Sequence, residues 1–265
     1  ALIGESGGGK TQTGLALAGL LPVNAESKIT SNPSLDNYVI SFVFQDPLNA
    51  LNPIMKISTQ IREAIRTKLS SKDKHQILLN LLNDLEISDP EKRLTQYPHE
   101  LSGGMRQRIL IAMALARDPD ILIADEPATA LDVRIKYHII ELLKKIGKKT
   151  NKTILYITHD LASVKGFADK ILIMYAGKIV ESGPAKTIFE NAKHPYSQKL
   201  LALMSRSVDN EGKLAYIEGQ PPFSDDFPEG CRFHPRCDFA IPSCKSDIPE
   251  MMGADEHWWE CPVSK

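Results

Sequence analysis

The eight residues Gly4-Glu5-Ser6-Gly7-Gly8-Gly9-Lys10-Thr11 constrain this chain more than any other stretch of it. They are entered from Ala1-Leu2-Ile3, apolar as the end of a buried strand, and left through a Leu- and Ala-rich run over residues 11–21 that stops before Pro22. Proline disfavours the helical conformation for its predecessor, so a helix is expected to end there. A strand, a glycine loop and a helix in that order let backbone N–H groups curl around anionic oxygens, while the helix start adds its unsatisfied amides and positive dipole end. The pattern G-x-x-x-x-G-K-[ST] arises by chance in about one chain in a hundred of this length. With the strand before it and the helix after it, a merely flexible turn is the weaker reading. In such a loop Lys10 supplies a point charge for β and γ phosphates, and the Thr11 hydroxyl is a magnesium ligand.

Downstream, residues 23–37 are polar and read as an irregular connection, and residues 38–44 (YVISFVF) read as a buried strand. Residues 57–118 are expected to be helical. Within them Ile77, Leu78, Leu81, Leu82 and Leu85 recur at helical spacing, and a further helix begins just after Gly104. A short buried strand over 121–124 precedes Asp125-Glu126-Pro127, and the next helix carries Ile135, Ile139, Leu142, Leu143 and Ile146 on one face. Strands over 153–158, 171–174 and 179–181 follow, the first ending at His159 and the last two joined by a turn at Ala176-Gly177-Lys178. Strands alternating with helices predict a mostly parallel α/β sheet. Beyond Gly183 the pattern gives way to Pro-rich and Cys-bearing sequence. The expected organisation is therefore one domain over 1–190, with a helical subdomain at about 52–118, and a loop-rich extension over 191–265.

The chain's 265 residues suit a large domain with such an appendage. A content of 42% hydrophobic and 25% charged residues excludes disordered and fibrous classes. The 32 basic residues against 33 acidic ones, a net of -1, remove the general electrostatic case for wrapping nucleic acid. The longest apolar run, residues 109–116, is far short of the ~20 residues that span a bilayer. There is no basic segment followed by an apolar one as in a secretion signal, and the chain opens without Met, so an N-terminal piece is expected to be missing.

A phosphate loop needs an acid at the end of a neighbouring buried strand to hold magnesium, and Asp125 is placed for it. Glu126, one residue on, suits a group that orients or deprotonates a water near the γ phosphate. The bland alternative is that both acids cap the next helix. All four cysteines, Cys231, Cys237, Cys244 and Cys261, fall within the last 35 residues, separated by five, six and sixteen residues. Disulfides, unligated thiols and a metal site are the three readings, the last favoured by the clustering. The gaps match neither C-x-x-C zinc knuckles nor the tight runs of bacterial ferredoxins, so four thiolates leave zinc and iron–sulfur both open.

At these residues the chain resembles the ATP-binding subunits of ABC transporters. Leu101-Ser102-Gly103-Gly104-Met105-Arg106-Gln107-Arg108 is similar to that family's signature, a second helix start that binds phosphate. The resemblance implies that Ser102, Gly103 and Gly104 close over ATP held by a partner ATPase subunit, equal or homologous, in a head-to-tail dimer. It implies that Gln45 contacts magnesium and the attacking water, that Ala130-Leu131-Asp132 is the D-loop, that His159 contacts the γ phosphate, and that Glu126 is the general base. The implied fold is an α/β P-loop ATPase core with a helical subdomain. The family also carries antiparallel strands ahead of the loop, with an aromatic for adenine, which this chain would lack. Only 34 residues separate Lys10 from Gln45, so part of that subdomain would be trimmed too.

The C-terminal part resembles oligopeptide, dipeptide and nickel permease subunits at His194-Pro195-Tyr196, Ile217-Glu218-Gly219-Gln220-Pro221-Pro222, residues 230–237 (GCRFHPRC) and His257-Trp258-Trp259-Glu260-Cys261. It implies a peripheral ATPase at the cytoplasmic face of the membrane, two transmembrane permease subunits and an extracytoplasmic binding protein. Peptide cargo is expected, with nickel or a metal chelate as the alternative. Similar tails hold a [4Fe-4S] cluster, which is therefore preferred to zinc for the four cysteines, and His234 and His257 become packing or hydrogen-bonding residues. A non-transport ABC ATPase fits less well, because only 56 residues separate Gln45 from Ser102, too few for the long coiled coils of repair ATPases.

Overall fold

The computed structural model describes residues 1–31, 33–66, 68–129, 132–204, 216–222 and 226–264. The chain divides into two compact units, Ala1–Thr11 with Ile157–Lys265, and Gln12–Tyr156.

In chain order the elements are β1 (Leu2–Ile3), α1 (Lys10–Leu17), β2 (Ile40–Val43), α2 (Pro47–Ala50), α3 (Ile57–Ala64), α4 (Ser71–Asp84), α5 (Pro90–Thr95), α6 (Gly103–Ala116), β3 (Ile121–Asp125), α7 (Val133–Thr150), β4 (Thr153–Thr158), β5 (Lys170–Tyr175), β6 (Lys178–Pro184), α8 (Ala185–Asn191), α9 (Pro195–Met204), β7 (Met251–Ala254) and β8 (His257–Glu260).

The unit of residues 12–156 is helical around α6. This helix buries Ile109, Leu110, Ile111, Ala112, Ala114, Leu115 and Ala116, apolar on nearly every side because neighbours surround it. Helix α4 is capped by Ser70, whose hydroxyl accepts from the Asp73 N–H, and buries Leu78 and Leu82. From α3 the buried Gln60 side chain bonds Asn52 through its N–H (2.9 Å) and its carbonyl (3.0 Å), and also the Met55 carbonyl, fixing the loop around Asn52-Pro53. Strands β2 and β3 pair in parallel from Ile40 with Ile121 to Val43 with Ala124.

In the other unit β1 lies between two parallel partners: Leu2 and Ile3 pair with Ile157 and Thr158 at the end of β4, and with Leu172 and Ile173 of β5. The sheet then turns antiparallel through β6, β8 and β7. Helix α1 ends at Leu17, four residues short of the expected stop at 21, with a turn through Gly19 at φ +67°. Strands β5 and β6 match expectation to within a few residues.

The departure from expectation is at the C-terminus. Residues beyond 183, read as loop-rich, form α8 and α9 and a hairpin that extends the sheet, Glu181 and Ser182 pairing with Trp259 and Trp258. Four-residue strands turned at Asp255-Glu256 are too short to show alternation. What anchors them is buried polar chemistry: the fully buried Glu181 carboxylate accepts from the Lys193 N–H (2.8 Å), the His194 N–H (2.9 Å) and His257 Nε2 (2.8 Å). Three donors offset the cost of desolvating that carboxylate. A second anchor is aromatic: Tyr175, Tyr196 and Phe233 are buried with ring centroids 4.7 to 5.3 Å apart.

Burial lowers the pKa of His194 to about 4, and its Nδ1 accepts from the Tyr196 N–H at 3.1 Å, a bond only the neutral ring can take. The unfolded chain therefore binds a proton that the folded chain refuses between its ordinary 6.5 and about 4. Stability is full above pH 6.5 and falls as the pH drops towards 4, by about 3 kcal/mol in all. Denaturant unfolding across that range should be steeper in pH for the native chain than for His194→Asn, whose amide oxygen replaces the acceptor without titrating.

Candidate nucleotide-binding site

The loop from β1 to α1 is built at close range. A Cβ on Gly4 would lie 2.1 Å from the Met174 carbonyl oxygen of β5, so only glycine passes there. Gly7 and Gly9 have φ of +78° and +92°, the left-handed values that turn successive amides inward. The Gly8 N–H closes a turn on the Glu5 carbonyl (3.2 Å), and the Gly177 N–H of the β5–β6 turn donates to the Gly8 carbonyl (3.0 Å).

Lys10, the first residue of α1, is 5% exposed and its Nζ donates to the carbonyls of Gly4 and Glu5, both at 2.9 Å. The ammonium is thus already desolvated and held inside the curl of the loop. Ser6, Gly7 and Thr11 are exposed at its rim. His159 is exposed immediately after β4.

Two contacts join the loop to segments singled out above for another reason, residues 194–196 and 230–237. The Glu5 N–H donates to the hydroxyl of the buried Tyr196 (2.9 Å), and the Glu5 carboxylate takes both ends of the Arg236 guanidinium, Nη1 at 2.7 Å and Nη2 at 3.0 Å. Arg236 follows Glu5 by 231 residues, a separation that no local pattern reports.

In the unit of residues 12–156, Asp125 ends β3, 4% exposed, and Glu126 follows it at φ +44°. A non-glycine residue held left-handed costs about 1 to 2 kcal/mol and points to a role for the side chain it aims. That carboxylate accepts from Gln45 Nε2 (3.3 Å) and Thr129 Oγ1 (2.9 Å), so the expected base and the expected glutamine stand together. Thr129 carried no signal in the sequence.

Ser102 caps α6, its hydroxyl accepting from the Met105 N–H (3.4 Å), and leaves the exposed Gly103 at the helix start. Asp132 caps α7 through Oδ1, accepting from the Arg134 and Ile135 N–H groups at 3.1 and 3.0 Å. A Cβ on Gly104 would meet Ile135 at 3.0 Å, so the two helix starts are packed together. Ala130 and Leu131 lie outside the described residues.

None of the four cysteines is in a disulfide; Cys244 and Cys261 are buried and Cys231 and Cys237 half-buried. Burial pushes Cys231 up to about 11, and the neighbouring thiols of Cys244, Cys261 and Cys237 add to this; Cys237 and Cys261 are raised as well, by burial first. The Cys231 N–H donates to the Cys244 carbonyl (2.9 Å). The donors are right in kind and within electrostatic reach of one another. Among the described residues, however, no three His, Cys, Asp or Glu side chains are arranged to hold a metal ion. His257 and His234 are hydrogen-bonded, to Glu181 and to the Cys231 carbonyl (3.0 Å).

A phosphate loop carried by a strand with parallel neighbours on both sides defines a nucleotide-binding α/β protein. The ABC transporter model matches residues 1–129, and the oligopeptide/dipeptide transporter C-terminal region model matches residues 180–244. The dipeptide transport ATP-binding protein DppD of Escherichia coli is 42% identical over 278 residues, covering 98% of this chain and 85% of that protein. The oligopeptide transport ATP-binding protein OppD of Haemophilus influenzae is 42% identical over 261 residues, covering 92% and 80%. Among solved structures, the dimeric ATP-binding cassette MJ0796 in a post-hydrolysis state bound to ADP and Pi matches with a TM-score of 0.57 at 27% identity, over 69% of this chain and 84% of that one. The chain belongs to the ABC transporter ATP-binding proteins, in their dipeptide and oligopeptide branch.

The glycines separate two costs. Gly7→Ala, with no atom within 4 Å of the new methyl, should lose only about 1 kcal/mol of stability from its positive φ. Gly4→Ala must move the Met174 backbone and should lose about 3 kcal/mol or more, read by denaturant unfolding of the two variants.

Proposed function

We propose that the protein is the ATP-hydrolysing subunit of an importer for dipeptides or oligopeptides. The observation that carries this is the loop of residues 4–11, its Lys10 ammonium held at the carbonyls of Gly4 and Glu5. The amides of the loop and Lys10 bind the β and γ phosphates, and Thr11, Asp125 and Gln45 are the magnesium ligands. Magnesium, when bound, neutralises charge that builds on the phosphates. Glu126 takes a proton from the attacking water, with its carboxylate oriented by Gln45 and Thr129. His159 contacts the γ phosphate. Ser102, Gly103, Gly104 and Asp132 serve the nucleotide of a second ATPase subunit, so two chains make two composite sites.

Among the described residues no helix is long and apolar enough to cross a membrane. In the proposed importer two permease subunits make the crossing, with this chain peripheral at their cytoplasmic face and a binding protein delivering cargo from outside. Residues 1–190 are the ATPase domain, with helices over about 52–118 turned to the permeases, and 191–265 the extension. The names of the relatives and the match over residues 180–244 support peptide cargo over nickel.

Glu126→Gln should retain MgATP binding but lose about 100- to 10,000-fold in ATPase rate with its permeases. A near-normal rate would remove the base assignment. Co-purification with two permeases, followed by labelled dipeptide and nickel uptake in a knock-out, tests the cargo: nickel uptake without peptide uptake overturns the peptide reading.

The extension's Cys231, Cys237, Cys244 and Cys261 are proposed as ligands of a metal centre, a [4Fe-4S] cluster in preference to zinc. Four thiols gathered in a tail with little apolar core support it, since a bound metal would staple that tail. Anaerobically purified protein should be brown and contain about four irons per chain; colourless protein with zinc refutes the cluster, and protein with neither metal refutes the centre.

A further inference from the structure

The phosphate loop carries an acid of its own. Within residues 4–11 Glu5 is the only acidic side chain, set between Gly4 and Ser6 in a segment that seats a polyanion. An unpaired carboxylate there would repel the ligand that the rest of the loop attracts.

Arg236 prevents this. Its side chain is 4% exposed, and it grips both oxygens of Glu5 in the bidentate geometry that makes arginine–carboxylate pairs strong. The remaining donors are used elsewhere: Nε donates to the Glu218 carbonyl (2.9 Å), Nη2 to the Ile217 carbonyl (3.2 Å) and Nη1 to the Tyr175 hydroxyl (3.4 Å). The guanidinium also lies 5.8 Å from the Tyr175 ring centroid. It is a junction at which the extension, the end of β5 and the phosphate loop meet. Two further contacts brace the same place. Tyr196 accepts from the Glu5 N–H, and Arg232 donates to the Ala176 carbonyl in the turn whose next residue, Gly177, holds Gly8.

We propose that Arg236 is a positioning residue of the nucleotide site: by pairing with Glu5 it cancels the phosphate loop's own negative charge and holds the loop's first turn in its phosphate-receiving form. The inference rests on the reading of this loop as the ATP site, and it makes the C-terminal extension a working part of that site.

Because the pair acts through charge, its test has a sign that a merely structural role lacks. MgATP and MgADP binding would be measured on the full-length chain, with thermal unfolding of each variant recorded beside it. Binding by the native chain tests the nucleotide reading itself; the variants test the inference. Arg236→Gln should raise the Kd for MgATP about tenfold, and raise that for MgADP less, since the bared carboxylate faces one phosphate fewer. Glu5→Gln combined with Arg236→Gln should bring the Kd back to within about threefold of the native value, because the offending charge is gone. The melting temperature should stay lowered in both, since both lose the bonds to Ile217 and Glu218. Arg236→Lys, which keeps the charge but not the fork, should bind within about threefold of the native chain while melting lower. A double variant that binds no better than Arg236→Gln overturns the proposal. So does an unchanged Kd in Arg236→Gln. If Arg236→Gln does not fold, a tenfold loss in Arg236→Lys overturns it and a near-native Kd supports it.

Discussion

A loop whose amides must point inward at an anion has few bonds left with which to hold its own shape, so it must be braced from behind. In this protein the brace is backbone on backbone. Gly4 passes against the Met174 carbonyl so closely that a methyl group would overlap it, and Gly8 is hung from Gly177. Strand β5 and the turn after it therefore set where the loop lies, and the β5–β6 hairpin is in turn fixed by what packs on it. The buried Glu181 carboxylate and the Tyr175, Tyr196 and Phe233 cluster do that fixing. The path from loop to extension is short and made of buried groups.

The other unit places its chemistry by a different device. Glu126 is aimed by a left-handed backbone turn directly after a buried strand, and two neighbouring side chains then hold its carboxylate. Such strain persists only where surrounding packing outweighs it. The starts of α6 and α7 are ordered by their own caps, Ser102 and Asp132, and locked together through Gly104 against Ile135.

Much of this was legible in the sequence, and for identifiable reasons. The phosphate loop, the acids after β3 and the capped helix at Ser102 are local: each states its geometry within about ten residues, and apolar periodicity places strands and helices around them. What was illegible depends on distance or on brevity. The bonds from Glu5 to Arg236 and Tyr196 join residues 231 and 191 positions apart. The β7–β8 hairpin is too short to alternate visibly, and its anchor, Glu181, looked like an ordinary strand residue. Glu126's left-handed turn has no glycine to announce it. The cysteines were visible as a cluster of donors, whereas the hydrogen bonds that fix His234 and His257 depend on folds of the tail that no spacing rule supplies.

The separation between Glu5 and Arg236 also has a consequence in time. A ribosome adding ~5 to 20 residues each second needs roughly ten to fifty seconds to pass from one to the other. Throughout that interval Glu5 is without Arg236, although Met174 and Gly177, which brace the loop's backbone, are made sooner. The aromatic cluster and the arginine arrive late. The loop's acid therefore meets its partner only once the extension has been made.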